Sequence, residues 1–267
     1  MVRPPMTLHA IPSSTLVTIL PPTHHIMAML NTAIMATAQT EASRSEKQTG
    51  KPDAGEYSVS TDVSSFQISP ADLLTSRPDI YNIIAGAMVF RSSPKEASGT
   101  PQSEVLLLQR AASDSFPLKW EIPAGTADPA IDQSIIEVAV RELWEETGLR
   151  AHSLHQTIGL GLPPGASLHL EVAGDVEDAR MDSEYPIILL RVTGRTWAIA
   201  TFLVDVGDDT EEIALQEEEH VRWAWVTESE VQTGRFLSEA GESFDMVSEA
   251  MKSLILEGFR IRKTSAL

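Results

Sequence analysis

The chain contains no cysteine. That absence removes disulfides, thiolate zinc sites and a cysteine nucleophile together. It fits a reducing compartment, so the expected location is cytoplasmic. No run of about eighteen apolar residues occurs, which leaves no candidate for a membrane-spanning helix and no reason to expect a membrane partner. Positive charge is scarce: 20 Lys and Arg stand against 38 Asp and Glu, a net of −18. So acidic a chain lacks the basic patches that grip a phosphate backbone, and nucleic-acid polymers are not expected as partners. An anionic small molecule remains compatible where cations neutralise the site.

What is present suits a globular core, with 42% hydrophobic residues in 267, enough for one large domain or two small ones. Residues 1 to about 75 differ from the rest. Ser, Thr, Pro, Ala, Gln and His are frequent there, and no apolar period persists. Pro21 and Pro22 break the only apolar patches, and Glu41 to Tyr57 reads as a polar linker. Thr15 to Ala38 carries no Lys or Arg, which fits neither a secretory signal nor a transit peptide. The expectation is a flexible or disordered extension over 1–75 and a folded domain over 76–267.

From Asn82 the character changes. Asn82 to Phe90 and Glu104 to Arg110 are apolar runs of strand length, separated by a loop with Pro94, Gly99 and Pro101, and read as a hairpin or as neighbours. Trp120 to Gly125 is a short strand entering a turn. Tyr185 to Val192 and Trp197 to Val206 read as strands joined across Thr193-Gly194. Val221 to Val226 alternates, and Phe244 to Leu256 has helical spacing. Gly159 to Asp182 reads as an inserted loop or extra hairpin that shapes a pocket. Strands outnumber helices, so the fold class is α+β, an α/β/α sandwich with a mixed sheet between helices.

The segment Ser134 to Leu149 is the clearest helix. Ser134 followed by Glu137 is a capping-box pattern, and Gly148 suits the left-handed position after the last turn. Ile136, Ala139, Val140 and Leu143 share one face. Glu142, Glu145 and Glu146 stand at i, i+3 and i+4 on another, and Arg141 is one turn before Glu145. A solvated acidic face is the plainer reading of such a run. Against it, these carboxylates crowd toward the helix C-terminus, where the macrodipole disfavours them. A hard divalent cation, Mg²⁺ or Mn²⁺, resolves their repulsion.

The string Arg141-Glu142-Leu143-Trp144-Glu145-Glu146-Thr147-Gly148-Leu149 resembles the second half of the Nudix box, R-E-U-x-E-E-x-G-U, at every fixed position. The approach strand Trp120 to Gly125 is also similar to the family's. The first half, G-x5-E-x7-R, is degenerate: Gln133 stands at the Glu position and Ala127 at the Gly position. Gly125 is the nearest glycine, so the loop is two residues longer. The resemblance implies the Nudix fold, with the box as loop-helix-loop, and metal-dependent hydrolysis of a diphosphate linkage in a nucleoside diphosphate derivative, ADP-ribose-like, or a related organic diphosphate. Two alternatives stay open: a catalytically degenerate module that senses a nucleotide, and a prenyl diphosphate hydrolase.

By the same resemblance Glu142, Glu145 and Glu146 are metal ligands, with the Gly125 carbonyl as a further one, and Arg141 holds the carboxylates. Glu145 and Glu146 carry catalysis together with a general base. That base is a box Glu or a carboxylate from Gln216-Glu217-Glu218-Glu219-His220, with Glu219 or Glu218 preferred and His220 next. Glu218 and Trp120 are expected substrate contacts. Trp120, Trp144, Trp197, Trp223 and Trp225 are all candidates to stack on a base, although Trp in strands is more often packing. The partner is a small-molecule diphosphate, with a homodimer open as the assembly.

Overall fold

A strand covered on both faces has no reason to alternate, and the run from Asn82 is such a strand. The computed structural model of the chain describes residues 57–93, 102–163, 165–172, 175–192, 194–207, 213–216, 218–237 and 241–265. Residues 1–56, the loop 94–101 with its proline and glycine signals, Thr193 and Glu217 lie outside the described residues.

In chain order come β1 (Ser58–Val59), a 3-10 helix (Thr61–Gln67), α1 (Pro70–Ser76), β2 (Asn82–Ser92) and β3 (Ser103–Arg110). Then follow β4 (Trp120–Glu121), β5 (Ala124–Thr126), α2 (Ile135–Thr147), β6 (Ser153–Ile158), β7 (Ser167–Val172) and β8 (Asp175–Met181). β9 (Ile188–Val192), β10 (Arg195–Asp205), β11 (His220–Thr227), α3 (Glu228–Thr233) and α4 (Glu249–Ser265) complete the chain. The strands form one mixed sheet ordered β11-β3-β2-β10-β9-β8-β7, with β4 beside β3, β5 beside β2, and β6 beside β10 and β1. β2 pairs β10 in parallel, whereas β2–β3, β3–β11 and β9–β10 are antiparallel.

Two cores lie on opposite faces of this sheet. Ile83, Ala85, Ala87 and Val89 of β2, with Leu106 and Leu108 of β3, pack under α2. Met88 and Phe90, with Val105 and Leu107, pack under α4 through Leu254, Ile255 and Phe259. The period of two within each run therefore sorts side chains between two cores and not between core and solvent. Among the described residues no helix is long and apolar enough to cross a membrane.

Two expectations need adjusting. The folded unit already includes residues 57–76: β1 pairs in parallel with β6, and Val63, Phe66 and Leu73 are buried. Phe66 meets Phe202 edge-on at 5.2 Å. A boundary at 75 thus cuts through the core, because a 3-10 helix shows no 3.6-residue period to read. The closing helix runs Glu249–Ser265 and not from Phe244. Phe244 to Ser248 instead runs beside β4: Trp120 N–H donates to Asp245 O at 2.9 Å and Val247 N–H to Trp120 O at 3.0 Å. The insertion between Gly159 and Asp182 is the antiparallel hairpin β7–β8. His169 of that hairpin, with Lys119, Arg235 and Lys252, lines a cleft of about 650 Å³ that none of the box carboxylates reaches.

Candidate active site

The helix that carries the acidic motif is fixed at both ends. Ser134 is extended, and its hydroxyl accepts the Glu137 N–H at 3.1 Å. Gly148 takes φ 73° and donates its N–H to Trp144 O at 2.8 Å. The Glu137 carboxylate reaches past the cap residue and accepts the Gln133 N–H at 2.7 Å. Ile135, Ile136, Val138, Ala139, Val140 and Leu143 bury into the core.

The opposite face is not a solvated acidic surface, because Arg141, Glu142 and Glu146 are buried as well. Arg141 is the hub. Its Nε donates to Asp132 Oδ1 at 2.9 Å and its Nη2 to Asp132 Oδ2 at 3.0 Å, a two-point pair. Its Nη1 donates to Glu142 Oε1 at 2.7 Å and Glu145 Oε2 at 3.0 Å, and its Nη2 also reaches Thr126 O at 3.2 Å. Burial works against this charge, and the carboxylates of Glu142, Asp132 and Glu145 override it. One guanidinium therefore ties the box helix to the loop before it.

That pairing alters the reading of the loop. Gln133 lacks the carboxylate that the motif places at its position, and Asp132, one residue earlier, supplies one with its side chain wholly buried. Asp132 also accepts the Asp128 N–H at 2.8 Å, which closes the longer loop on itself. Gly125 is required by close approach: a Cβ built there would fall within the Glu142 carboxylate.

Around Glu146 the charges converge. Ala124 N–H donates to its Oε2 at 3.0 Å. Burial, then the carboxylates of Glu142, Glu121 and Glu219, push the Glu146 carboxyl well above its ordinary range. Glu121 extends from β4, bonded to Arg110 and lying 3.2 Å from His220 Nε2. Metal-type donor atoms of Glu146, Glu219 and His220 lie within 4.8 Å of one another. His220 is buried, and its Nδ1 has no hydrogen-bond partner.

The sequence-derived residues thus divide. Glu146 and Glu219 meet directly, although 73 positions separate them, and Glu142 adjoins them. Glu145, 18% exposed, lies on Arg141. Glu218 is exposed. Trp120 corrects an expectation. It is buried against Phe236 and Phe244, so its ring is not available to stack on a base. Sequence reasoning missed Glu121, Arg110 and Asp132. Glu121 carried a signal, a charged residue between the apolar Trp120 and Ile122.

Residues 87–246 match a family model described as NUDIX domain. Among solved structures, the chain is similar to a MutT protein from Methanosarcina mazei Go1 at 20% identity, over 69% of this chain and 96% of that one, with a TM-score of 0.41. It is similar to an Ap4A hydrolase from C. elegans at 17% identity, over 70% and 99%, with a TM-score of 0.39. The NUDIX domain of Shewanella oneidensis NrtR, complexed with ADP ribose, is 15% identical over 68% and 88%, with a TM-score of 0.40. No curated protein matches the sequence.

Proposed function

The chain belongs to the Nudix family, and on that premise we propose that it hydrolyses a diphosphate linkage in a nucleoside diphosphate derivative or related organic diphosphate, with Mg²⁺ or Mn²⁺. The carrying observation is the crowding of Glu142, Glu121 and Glu219 around the buried Glu146. Arg141 pairs with Glu142 and Arg110 with Glu121, but carboxylates ionised side by side still repel one another, which costs the fold stability. A divalent cation turns the same arrangement into a binding site, and the donor set suits it, since carboxylate oxygens are hard ligands.

In this reading Glu146, Glu142 and Glu219 hold the cation, with Glu145 and the Gly125 carbonyl completing the oxygen set. A bound cation supplies charge neutralisation for the diphosphate and acidifies a water nucleophile. The remaining work is done by the chain. Arg141 keeps Glu142 and Glu145 in place through the contacts that also anchor Asp132. Arg110 and His220 hold Glu121 beside the cluster. A Glu219 carboxylate oxygen takes the proton of the attacking water, because Glu219 is only partly buried and comes from the loop facing the helix. Glu218, exposed beside it, is left as the peripheral substrate contact. Gln133 and the longer loop are the features that favour a non-hydrolysing module, and that argument weakens once Asp132 holds Arg141 and accepts the Asp128 N–H within the loop.

The test is product release from a panel of nucleoside diphosphate derivatives, dinucleoside polyphosphates and prenyl diphosphates, with Mg²⁺, with Mn²⁺ and with chelator. Cleavage that requires metal is expected. A folded protein that cleaves nothing on the panel contradicts the reading.

A further inference from the structure

Along a regular strand, residues three apart point to opposite faces. β11 breaks this rule beside the carboxylate cluster. His220 stands opposite Arg110 and Trp223 opposite Leu108, so three steps on β11 match two on β3, and the register shifts between His220 and Arg222. The extra residue is a bulge, a device that re-aims side chains near functional sites. Arg110 and Leu108 are two apart and share a face, so His220 and Trp223 share it too. Leu108 is also directly opposite Glu121. Trp223, Leu108 and Glu121 therefore form one row across three strands. Leu108 belongs to the core under the box helix, so the row lies on the face where Glu146 sits. At strand spacing, the Trp223 backbone stands about 10 Å from that of Glu121.

The other four tryptophans are less exposed. Trp120 is buried, Trp225 lies under the Arg91 guanidinium, Trp197 meets Tyr81, and Trp144 is half-buried on the box helix. Trp223 alone of the five is exposed, at 38%, on the strand that ends the sheet order. An indole more than a third exposed beside a charged cluster offers part of its flat apolar ring to a ligand.

We propose that Trp223 is the stacking platform for the nucleobase of the substrate and so selects nucleoside diphosphates over diphosphates without a base. This rests on the diphosphate reading of the neighbouring carboxylates and adds the group at the other end of the ligand. An isoprenoid chain needs an apolar channel. Here the apolar neighbours along the row and the strand, Leu108 and Leu106, are fully buried and offer no exposed surface to carry on from the ring.

The test compares equilibrium binding of ADP and inorganic pyrophosphate, each with Mg²⁺, to the full chain, to Trp223→Ala and to Trp223→Phe, with thermal melts verifying the fold. The wild type is expected to prefer ADP by about tenfold, the size of one base–aromatic stack. Trp223→Ala removes that preference without weakening pyrophosphate, and Trp223→Phe keeps most of it. Equal binding of the two ligands by wild type, no binding of ADP, or a preference that survives Trp223→Ala overturns the proposal. Base-dependent binding without turnover on any substrate overturns the hydrolase reading and leaves the stacking role standing.

Discussion

Asp132 and Gln133 are neighbours whose roles are easily exchanged on paper. The motif count points to Gln133, yet the guanidinium of Arg141 takes Asp132 in two bonds. Gln133→Glu is therefore expected to leave turnover within about twofold, because its side chain is not the anchor. Asp132→Ala leaves a buried guanidinium short of a partner and should cost ~3 kcal/mol in denaturant unfolding. The reverse pattern, with Gln133→Glu activating and Asp132→Ala silent, would reinstate the motif position. Gly125→Ala places a methyl group inside the Glu142 carboxylate and is expected to lower kcat by about 100-fold while the melt stays cooperative. Normal kcat in that variant would detach Glu142 from the chemistry. At this scale the helix carboxylates were legible because their spacing on one helix is fixed. Asp132 was not, since a side chain that reaches across a loop obeys distance and not residue count. Trp120 was misread for a related reason, as an indole's sequence neighbours do not reveal whether its ring is covered.

Whole elements were legible where a period held. β2, β3, β9, β10 and β11 fall where apolar runs and alternation place them. The bulge in β11 did not show, because Val221 is an ordinary strand residue whose extra place appears only against the register of β3. The 3-10 helix and α1 did not show either, being short and largely polar. What holds them is partly electrostatic: Arg77, the residue after α1, donates to both Asp182 oxygens at 3.1 Å. Glu184 and Tyr185 N–H groups donate to the same carboxylate at 3.0 and 2.9 Å. Burial disfavours the Asp182 charge, but the Arg77 bond and these N–H bonds outweigh it and hold the carboxyl below its ordinary range. A depressed carboxyl pKa contributes stability above the unfolded value of about 3.9 and loses it as pH falls through the folded value. Asp182→Asn should therefore melt below wild type at pH 7, and the gap should close below about pH 4. A gap that is constant with pH would show that the pair holds no such charge-dependent stability.

Across the molecule, the sheet brings together carboxylates that are far apart in sequence: Glu121 from β4, Glu142 and Glu146 from α2, and Glu219 from the loop before β11. The scaffold for this includes residues 57–76, whose Val63, Phe66 and Leu73 fill the core under the box helix. A chain beginning at Tyr57 should melt cooperatively, and one beginning at Tyr81 should not, since losing Phe66 alone removes ~3–5 kcal/mol of packing. Equal melts in calorimetry would show that the first elements are dispensable. On the proposed reading the Glu146 cluster is a cation-dependent hydrolytic centre. Its most direct test is metal-dependent product release by wild type and Glu146→Gln, with melts of both in chelator. The expected result is a loss of turnover of at least about a hundredfold, with the variant melting no lower than wild type because the amide carries no charge for burial and its neighbours to penalise. Undiminished turnover in Glu146→Gln, or turnover that ignores chelator, would contradict the account.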